Sequence, residues 1–581
     1  MCSVKYKQDF FKVLIKQRTE IMTENRFRED KAQNMMINAD ELNCYEFFLK
    51  ATEIYGDYDA YQHMDERGKR SDLIADIEAL ATYFTKDLGL KRGDAYTIFT
   101  PTNVESIAAF YALNKIGVIV NFVHPLLPDE VLFETIKESG SKGIMVLGLI
   151  GLKQHNVDAV NKTGLPVLLC RCSDYAAPLK KAAAGAGEAI LEKILGYKNA
   201  VLYKDIVKRY HGRTVPTVEN NGSDVAVYLN GGGTTGKSKT IKLTSKAINE
   251  NVHALGYIDH ILDPGDEGEI IILPFFHAFG LVVAMHMTMC NAARIIPLMQ
   301  FDRKLVVKLY ENNRISGIVG IPAMFKKLYN TPGFDGPHLK NTRLMFAGGD
   351  DLSPAFLHEF NEMLDKNGTK ARLRQGYGLT EVGSVCCANT NDTNKDNSIG
   401  IPLAGVTMDI WDEDCKSVPN GTVGEIVISG PTIMEGYLTE DGPKDAGLYT
   451  DENGVKWVRS GDLGYRDDDG FYFFAGRKKR LIIISGYNVY PVDIENLMDT
   501  LSFIKESCAV RGLKDGKPFV KLYASLSEKG NEEEKKNIIT ETCEKNLSKF
   551  SVPREIEFLD ELPHTPLEKV DFMALEKKAA Q

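Results

Sequence analysis

Residues 229–240 read LNGGGTTGKSKT, and this stretch combines the residue types that bind a phosphate. Glycines let backbone N–H groups approach phosphate oxygens closely, threonine hydroxyls add hydrogen-bond donors, and lysines add positive charge. Residues 231–238 also match the pattern G-x-x-x-x-G-K-S, which is typical of P-loop nucleotide hydrolases. In a P-loop the lysine opens a helix whose N-terminal N–H groups face the phosphates, so the residues that follow decide between two interpretations.

The residues after the loop predict a strand instead of a helix. KTIKLT has β-branched preference and alternation, and DVAVYLN before the loop predicts a second strand. A helix is expected only after Thr244 or Ser245, either of which can cap it. A P-loop protein also needs a strand that ends in Asp, whereas EIIILPFFH ends its apolar run in proline. We therefore predict a phosphate-binding hairpin and reject the P-loop hydrolase; taken alone, the stretch also fits a flexible glycine hairpin without a ligand.

The rest of the chain supplies the elements that must position this loop. Amphipathic helices alternate with short apolar strands, which favours an α/β fold of layered, mostly parallel sheets. From about residue 400, short strands joined by Asn-Gly and Asp-Gly turns predict a β-rich subdomain. The last hundred residues, after Arg477, predict a small α+β domain. Residues 1–70 are predicted as charged helices and residues 176–200 as a solvent-facing helix or insertion.

Composition excludes several classes of protein. The 581 residues carry a net charge of −10, which does not favour a nucleic-acid partner. The ten cysteines show no zinc-site spacing, so free thiols in a reducing cytoplasm are expected. Residues 270–293 contain no charged side chain but include Pro274 and His277, so we expect a buried strand, a loop and a core helix instead of a membrane span.

Five further stretches follow a fixed order along the chain: LPFFHAFGL at 273–281, FAGGDDL at 346–352, QGYGLTE at 375–381, the run from WVRSGDLG to YPVDIE at 457–495, and LPHTPLEKVD at 562–571. Together with the GTTG loop, these stretches resemble the adenylate-forming superfamily, which includes acyl- and aryl-CoA synthetases, peptide-synthetase adenylation domains and beetle luciferases. The resemblance covers nearly the whole chain from about residue 45. The stretch GRKKRLIIISGYNVYPVDIE is most similar to bacterial fatty-acyl-CoA ligases.

The resemblance implies a domain organisation and a reaction. It divides the chain into an N-terminal helical extension (1–44), an AMP-binding domain (45–478) and a small mobile C-terminal domain (479–581), with a hinge at Lys479. A carboxylate attacks the α-phosphate of ATP·Mg²⁺ to give acyl-AMP and pyrophosphate. The small domain then rotates, and a thiol, usually that of CoA, displaces AMP.

The resemblance also implies the site residues. The ATP-binding set is Thr234, Thr235, Gly236, Lys239, Gly376, Tyr377, Gly378, Thr380, Asp462, Arg477 and Lys569. The catalytic set is Lys569, Thr380, Glu381 and His277, and the Mg²⁺ ligands are Thr234 and Glu381. The acyl pocket is assigned to Phe276, His277, Gly348, Gly349 and Gly376, and the CoA tunnel to Ser485, Gly486 and Tyr487.

These residue types suit in-line transfer at a phosphate, which depends on positioning and charge neutralisation. Tyr377 offers a flat face for adenine, Asp462 two oxygens for the ribose hydroxyls, and Lys569 a cation for the charge that builds at the α-phosphate. Each also has a plainer interpretation: Asp462 can cap a turn, residues 477–480 can be a solvated basic face, and Lys569 can be a surface lysine. His277 either gates the acyl channel, shapes it, or is a core histidine.

The chain departs from the superfamily at three positions. Ser238 and Thr240 replace the usual Pro and Gly of the phosphate loop, and Glu568 replaces the glycine before the C-terminal lysine. A catalytically degraded relative therefore stays an alternative.

The substrate is predicted from the start of LPFFHAFGL, where an amino-acid-activating domain needs an acid to pair the substrate ammonium. No acid stands there, Phe275, Phe276 and Phe279 make an apolar wall, and Gly348, Gly349 and Gly376 are expected to leave room for a chain or ring. We predict a carboxylic acid, specifically a fatty acid, with CoA as acceptor and a carrier protein as the alternative acceptor. Chain length, an aromatic or steroid acid, peripheral membrane contact and oligomeric state stay open.

Overall fold

The fold is described from a computed structural model of the chain. The structure describes residues 37–148, 154–176, 178–219, 222–231, 239–256, 265–350, 352–369, 371–390, 393–438, 447–485, 487–514, 517–528, 530–565 and 569–580. The predicted helical extension at 1–44 therefore lies mostly outside the described residues.

A nine-stranded sheet, sheet 1, carries the motifs expected around the acyl group and adenine. Its strands are β1 Asp59–His63, β2 Glu66–Lys69, β10 Gly268–Ile271, β11 Arg294–Pro297, β12 Ile315–Gly320, β13 Leu344–Ala347, β14 Leu373–Leu379, β15 Ser384–Ala388 and β16 Ile401–Pro402. Their order across the sheet is β16-β15-β14-β13-β12-β10-β11-β1-β2. The pairings between β14 and β1 in this order are parallel, and the pairings at both ends of the sheet are antiparallel.

An eight-stranded sheet, sheet 2, carries the Gly/Thr loop. Its order is β19-β9-β8-β4-β3-β5-β6-β7, and only the pairings of β9 with β8 and β19 are antiparallel. β3 and β4 are buried along their whole length, as expected for parallel strands covered on both faces. The strands are β3 Ala95–Phe99, β4 Ile119–Phe122, β5 Ser141–Leu147, β6 Val167–Cys170, β7 Ala200–Leu202, β8 Val225–Gly231, β9 Lys239–Thr244 and β19 Gly436–Tyr437.

The β-rich subdomain is an antiparallel sheet with the order β17-β18-β21-β20, to which β22 adds through β21. Its strands are β17 Thr407–Trp411, β18 Gly424–Ser429, β20 Gly447–Thr450, β21 Lys456–Arg466 and β22 Tyr472–Arg477. The two tryptophans of the chain, Trp411 and Trp457, both lie here with ring centroids 5.0 Å apart.

The small domain begins after β22. It contains the hairpin β23 Ile482–Ile484 and β24 Tyr487–Val489, and the three-stranded sheet β25 Ile504–Lys514, β26 Lys517–Leu526 and β27 Glu555–Phe558. A separate hydrophobic cluster includes Ile482, Met498 and Leu522. The predicted α/β fold with a β-rich subdomain and a small α+β domain is confirmed.

Within the described ranges the α-helices are α1 Cys44–Thr52, α2 Arg70–Lys86, α3 Val104–Lys115, α4 Asp129–Glu138, α5 Gln154–Lys162, α6 Pro178–Leu195, α7 Tyr203–Tyr210, α8 Ser245–Gly256, α9 Thr288–Cys290, α10 Arg303–Asn312, α11 Pro322–Tyr329, α12 Pro354–Lys366, α13 Pro491–Met498, α14 Glu532–Asn546 and α15 Phe572–Ala579. α6 confirms the helix predicted within residues 176–200. Glu188 on α6 is buried and accepts hydrogen bonds from the Ser173 backbone and hydroxyl, so this helix is docked and not wholly solvent-facing.

The prediction of helices over residues 1–70 is wrong for part of its described range. α1 is helical, but β1 and β2 form an antiparallel hairpin, and Met64 at its turn has a φ of +52°. β1 also pairs in parallel with β11, far along the chain, so distant pairing overrides the local charge pattern.

Two local predictions are confirmed. β8 and β9 form an antiparallel pair around the Gly/Thr loop, and the Thr244 hydroxyl accepts from the Ala247 N–H at 3.1 Å to cap α8. Residues 270–293 run from β10 through a loop into a buried helix, whose segment Phe279–Met287 is wound as a π-helix before α9. Within the described part of the chain, none of the helices has the length and apolar character to cross a membrane.

Candidate active site

The strand β14 carries the predicted adenine-binding residues Gly376, Tyr377 and Gly378. A Cβ atom at Gly378 would lie 1.8 Å from the Ser384 carbonyl oxygen on β15, so only glycine allows this close strand pairing. Tyr377 is partly buried, and its hydroxyl donates a 2.8 Å hydrogen bond to Asp462 Oδ2. The first two predicted nucleotide-binding side chains therefore touch, although they belong to different sheets.

Asp462 lies inside β21, opposite Arg477 on β22, and is only 6% exposed. Arg477 Nε lies 3.5 Å from Asp462 Oδ1, and the Ser460 hydroxyl accepts from the Asp462 N–H. Burial raises the pKa of Asp462, while the Arg477 charge and the Tyr377 hydroxyl act in the opposite direction. Asp462 thus lies within a strand, where one carboxylate oxygen faces the Tyr377 hydroxyl and the other faces Arg477. The interpretation of Asp462 as a plain turn cap is therefore wrong.

Glu381 stands in the short turn Thr380–Val382 directly after β14, with Thr380 beside it. Its Oε1 accepts from the Tyr437 hydroxyl at 3.2 Å, and Lys239 Nζ lies 4.7 Å from the centre of the Tyr437 ring. Burial lowers the pKa of Lys239, and Glu381 partly opposes that shift. The structure therefore brings the predicted phosphate lysine and the predicted metal carboxylate together around one tyrosine.

The predicted phosphate and metal residues Thr234, Thr235 and Gly236 lie outside the described residues, between β8 and β9. Among the described side chains there is no group of three or more His, Cys, Asp or Glu that could hold a metal ion. Glu381 alone fits a Mg²⁺ ion whose other ligands are phosphate oxygens and water, which is the usual arrangement for Mg²⁺ with a nucleotide.

Lys569 reaches this region from the small domain. A β-bridge between His564 and Val570 and a hydrogen bond from the Thr565 N–H to the Lys569 carbonyl hold its loop. Lys569 Nζ donates to the Gly349 carbonyl oxygen of the large domain. Burial lowers the pKa of Lys569, with Asp350 and Asp462 acting against the shift and Arg477 adding to it. The interpretation of Lys569 as an ordinary surface lysine is therefore wrong, and neighbouring Glu568 lies outside the described residues.

The predicted acyl wall is a short stack of rings. Phe276 is 8% exposed and lies between His124 and His277, with ring centroids 4.4 and 4.7 Å apart. Burial, and next the neighbouring His124 and Lys569, lower the pKa of His277 to about 4, so its ring is neutral at neutral pH. Its Nε2 has no hydrogen-bond partner within the described residues. The nearby positive charge of Lys569 disfavours protonation of the His277 ring, and because Nε2 lacks a partner among the described residues, His277 is not a satisfied core histidine.

The glycines of the predicted acyl pocket do not all leave the expected space. A Cβ at Gly348 would lie 3.2 Å from the Phe279 ring, and one at Gly376 would lie 2.2 Å from Phe346 Cζ. Phe279 and Phe346 pack edge to face, with centroids 6.1 Å apart. The absence of a Cβ at these two glycines thus lets a phenyl ring of the protein approach, and their assignment to the acyl pocket stays a prediction. Gly349 has a φ of +82°, and among the described residues a Cβ there would have only Ile321 Cγ2 within 4 Å, at 3.7 Å.

The predicted hinge and CoA tunnel lie at the start of the small domain, and their described residues Lys479 and Tyr487 are exposed. Lys479 is exposed in the turn Lys478–Arg480 between β22 and β23. Ser485 has a φ of +52° at the turn of the β23–β24 hairpin, where Gly486 is outside the described residues. Tyr487 is 58% exposed and stacks on Phe550 at 4.1 Å. In this arrangement Lys569 contacts the Gly349 carbonyl of the large domain, and the tunnel assignment stays a prediction.

Two residues of the site have no counterpart in the sequence motifs. Tyr437 comes from β19, which pairs with β9, and His124 follows β4 at the same end of sheet 2 as the Gly/Thr loop. Only His124 had a signal in the sequence: it stands just after a short strand, where parallel sheets place their ligand-binding loops.

Comparison with known proteins agrees with this geometry. The sequence profile described as AMP-binding enzyme matches residues 50–438, and the profile of the AMP-binding enzyme C-terminal domain matches residues 493–569. The chain belongs to the AMP-binding enzyme family. This match confirms the resemblance to the adenylate-forming superfamily and the prediction of an AMP-forming ligase.

Among relatives of this AMP-binding enzyme, the long-chain-fatty-acid–CoA ligase of Escherichia coli O6:H1 is 26% identical over 544 residues, covering 92% of this chain and 94% of the relative. The 2-succinylbenzoate–CoA ligase of Lactococcus lactis is 30% identical over 356 residues, covering 60% of this chain and 69% of the relative. The structure of o-succinylbenzoate coenzyme A synthetase from Bacillus subtilis in complex with ATP and magnesium ion has a TM-score of 0.70 at 19% identity, covering 93% and 99% of the two chains. This last likeness shows the fold alone.

Proposed function

We propose that this protein is an ATP-dependent acyl-CoA ligase that acts on a fatty acid. The fatty-acid carboxylate attacks the α-phosphate of ATP·Mg²⁺, so that an acyl phosphate bond forms and pyrophosphate leaves. The CoA thiol then loses its proton and attacks the acyl carbon, and AMP leaves as the thioester forms. We assign the first half-reaction to the arrangement described above and the second to a rotated small domain, with the AMP-binding domain over residues 45–478 and the small domain over residues 479–581.

The position of Lys569 is the observation that supports this proposal most strongly. Its ammonium comes from the small domain, contacts the Gly349 carbonyl and is close enough to Asp462 and Arg477 to interact with both charges. A half-buried cation beside a ribose-binding carboxylate is suited to stabilise the negative charge that develops when a carboxylate oxygen attacks the α-phosphate. In this role Lys569 contacts the reacting atoms and is a catalytic residue.

The nucleotide is proposed to extend from Tyr377 and Asp462 toward the β8–β9 loop. Thr234, Thr235, Gly236 and Lys239 are proposed to bind the β- and γ-phosphates, and Thr380 the α-phosphate. Glu381 is proposed to hold Mg²⁺ with Thr234. The bound ion would neutralise phosphate charge, while the Tyr437 hydroxyl keeps Glu381 oriented.

The choice of an apolar acid is supported by the pocket wall. Phe276, Phe279 and Phe346 present aromatic surface, and the neutral His277 is the polar group among them. The two CoA ligase relatives are named for a long-chain fatty acid and for 2-succinylbenzoate, and both substrates are carboxylates. We propose CoA as the acceptor through Ser485, Gly486 and Tyr487, and a reducing cytoplasm as the location, since the described cysteines are free.

Product analysis tests the proposal. The protein is incubated with ATP, Mg²⁺, CoA and a series of fatty acids of increasing length, with benzoate and 2-succinylbenzoate as matched aromatic acids. Nucleotides are separated by chromatography and thioesters are identified by mass. AMP, pyrophosphate and a fatty-acyl thioester are expected. ADP as the main product contradicts adenylation, acyl-AMP without thioester favours a carrier-protein acceptor, and no turnover with any acid favours a degraded relative.

A further inference from the structure

An ion pair joins the two domains away from the proposed reacting atoms. Lys326 Nζ on α11 of the large domain lies 3.0 Å from Asp499 Oδ2, at the end of α13 in the small domain. The two side chains are 41% and 24% exposed, so the pair lies at the rim of the interface. Within the described residues it is a second polar contact between the domains, besides that of Lys569 with Gly349.

On the large domain, Lys326 is connected through paired strands to Gly349, whose carbonyl accepts the hydrogen bond from Lys569. α11 begins at Pro322, directly after β12 and Ile321. β12 pairs in parallel with β13, whose end leads into the glycines at 348 and 349. Ile321 Cγ2 lies 3.7 Å from the Cβ position of Gly349. Lys326 and Gly349 therefore follow the ends of two neighbouring strands of sheet 1.

On the small domain, Asp499 is connected to Lys569 through Arg480. The Asp499 N–H donates to the Glu495 carbonyl, and the Glu495 side chain binds Arg480. The Arg480 guanidinium lies 5.1 Å from the centre of the Phe572 ring, three residues after Lys569. A displacement of Asp499 therefore acts on the segment that carries Lys569.

We propose that Lys326 and Asp499 are positioning residues that hold the small domain in the orientation that places Lys569 at the α-phosphate. The proposal rests on the proposed function and adds to it a pair that acts selectively on the first half-reaction. The small domain supplies the cation Lys569 at the contact with the Gly349 carbonyl, and it supplies the anion Asp499 at the contact with Lys326. A single orientation of the small domain satisfies both contacts. Rotation of the small domain for thioester formation separates both contacts.

Charge reversal and a charge swap test the pair. An exposed ion pair contributes little free energy to the docked arrangement. Lys326→Glu and Asp499→Lys each replace its attraction by repulsion. We expect each variant to lower the rate of acid-dependent pyrophosphate exchange into ATP about three- to tenfold. The double variant Lys326→Glu/Asp499→Lys restores an ion pair of reversed sign and should return within about twofold of the parent. Thioester formation from supplied acyl-AMP and CoA should be unchanged or faster in every variant.

Lys327→Glu is the matched control. It changes the same charge on the same helix, but the Lys327 ammonium lies 6.0 Å from the Phe301 ring of the large domain. The proposal is overturned if Lys326→Glu and Lys327→Glu show the same pyrophosphate-exchange rate, or if the double variant exchanges pyrophosphate as slowly as the slower single variant. It is also overturned if the rates of both half-reactions fall together, as a loss of folding would cause.

Hydrogen exchange tests the docking without turnover. Backbone amides of residues 322–329 and 491–499 should exchange faster in Lys326→Glu than in the parent, and the swap should restore protection. Equal exchange in all variants overturns the pair as a docking contact. A parent protein that shows no acid-dependent pyrophosphate exchange instead contradicts the proposed function, and the hydrogen-exchange comparison then still decides whether the pair docks the small domain.

Discussion

The Tyr377 hydroxyl donates a 2.8 Å hydrogen bond to Asp462, and this contact joins sheet 1 to the β-rich subdomain at the proposed ribose site. The Arg477 side chain approaches the other oxygen of the same carboxylate at 3.5 Å. A carboxylate can accept about four hydrogen bonds, so capacity is left for the two ribose hydroxyls. Tyr377 and Arg477 thereby fix the orientation of Asp462 before any nucleotide binds.

Asp462→Asn should weaken ATP use while preserving the shape of the site. The amide has one acceptor oxygen in place of two and no charge opposite Arg477, and hydrogen bonds to charged groups are stronger than neutral ones. We expect kcat/KM for ATP to fall about 10- to 100-fold. Steady-state kinetics with ATP and with 3′-deoxy-ATP should show a smaller preference for ATP in the variant. An unchanged preference would contradict the ribose assignment.

Lys569→Ala should abolish most of the first half-reaction alone. Removing a donor that stabilises transition-state charge lowers the rate about 10²- to 10³-fold, so acid-dependent pyrophosphate exchange should fall by that factor. Thioester formation from supplied acyl-AMP and CoA should persist. Lys577→Ala, an exposed lysine on α15 of the same domain, is the control and should leave both rates unchanged. Equal losses in the two half-reactions of Lys569→Ala would contradict a role confined to adenylation.

Two alanine substitutions in the proposed pocket should differ sharply in their effect on thermal stability. Gly376→Ala places a Cβ 2.2 Å from Phe346, whereas Gly348→Ala places one 3.2 Å from Phe279, where a small shift suffices. Overpacking of this kind costs about 1–3 kcal/mol. Thermal melting should show a clearly lower Tm for Gly376→Ala and little change for Gly348→Ala. Equal Tm values would show that Phe346 can move aside.

Gly486→Leu tests the predicted CoA tunnel. A bulky side chain at position 486, which follows β23 and precedes β24 in the sequence, should block the thiol arm in the rotated arrangement while leaving Lys569 in place. Pyrophosphate exchange should be retained and CoA-dependent AMP release lost. Melting temperatures separate this outcome from a loss of stability caused by replacing a turn glycine. A stable variant that still forms thioester at the parental rate refutes the assignment.

Glu105 should make stability depend on pH. Its side chain is 1% exposed, its Oε2 has no hydrogen-bond partner among the described residues, and burial raises its pKa to about 8. The folded protein therefore favours the protonated acid, and the free energy of unfolding falls as pH rises from about 4.5 to 8 because the unfolded state releases the proton first. The loss reaches at most about 5 kcal/mol.

Glu105→Gln removes this titration. The Tm of the variant minus that of the parent should therefore increase steadily from pH 5 to pH 8 in thermal melts. Glu134→Gln, at an exposed position on α4, is the control and should show no such trend. A difference that does not change with pH would show that Glu105 does not stay protonated in the folded state.

The sequence predicts best what is decided locally. The strands around the Gly/Thr loop and the Thr244 cap follow from a few neighbouring residues, and the structure confirms them. The hairpin over residues 59–69 was missed because β1 is held by β11, and no local pattern encodes that partner.

The same distinction holds for the site. Tyr377, Asp462, Arg477 and Lys569 were identified through motifs, and the structure brings them together. Tyr437 and His124 were missed, because each joins the site only through tertiary packing, on Glu381 and on Phe276 respectively. A glycine in a motif likewise does not reveal which side chain approaches it, as Phe279 does at Gly348 and Phe346 does at Gly376.

The placement of Trp411 and Trp457 has a consequence for spectroscopy. Because these are the only two indoles of the chain and their rings lie 5.0 Å apart in the β-rich subdomain, selectively excited tryptophan fluorescence reports on that subdomain alone. A rotation of the small domain as a rigid unit would leave this signal nearly unchanged. A fluorophore attached to the small domain, with the indole pair as energy donor, would convert the same rotation into a change in emission.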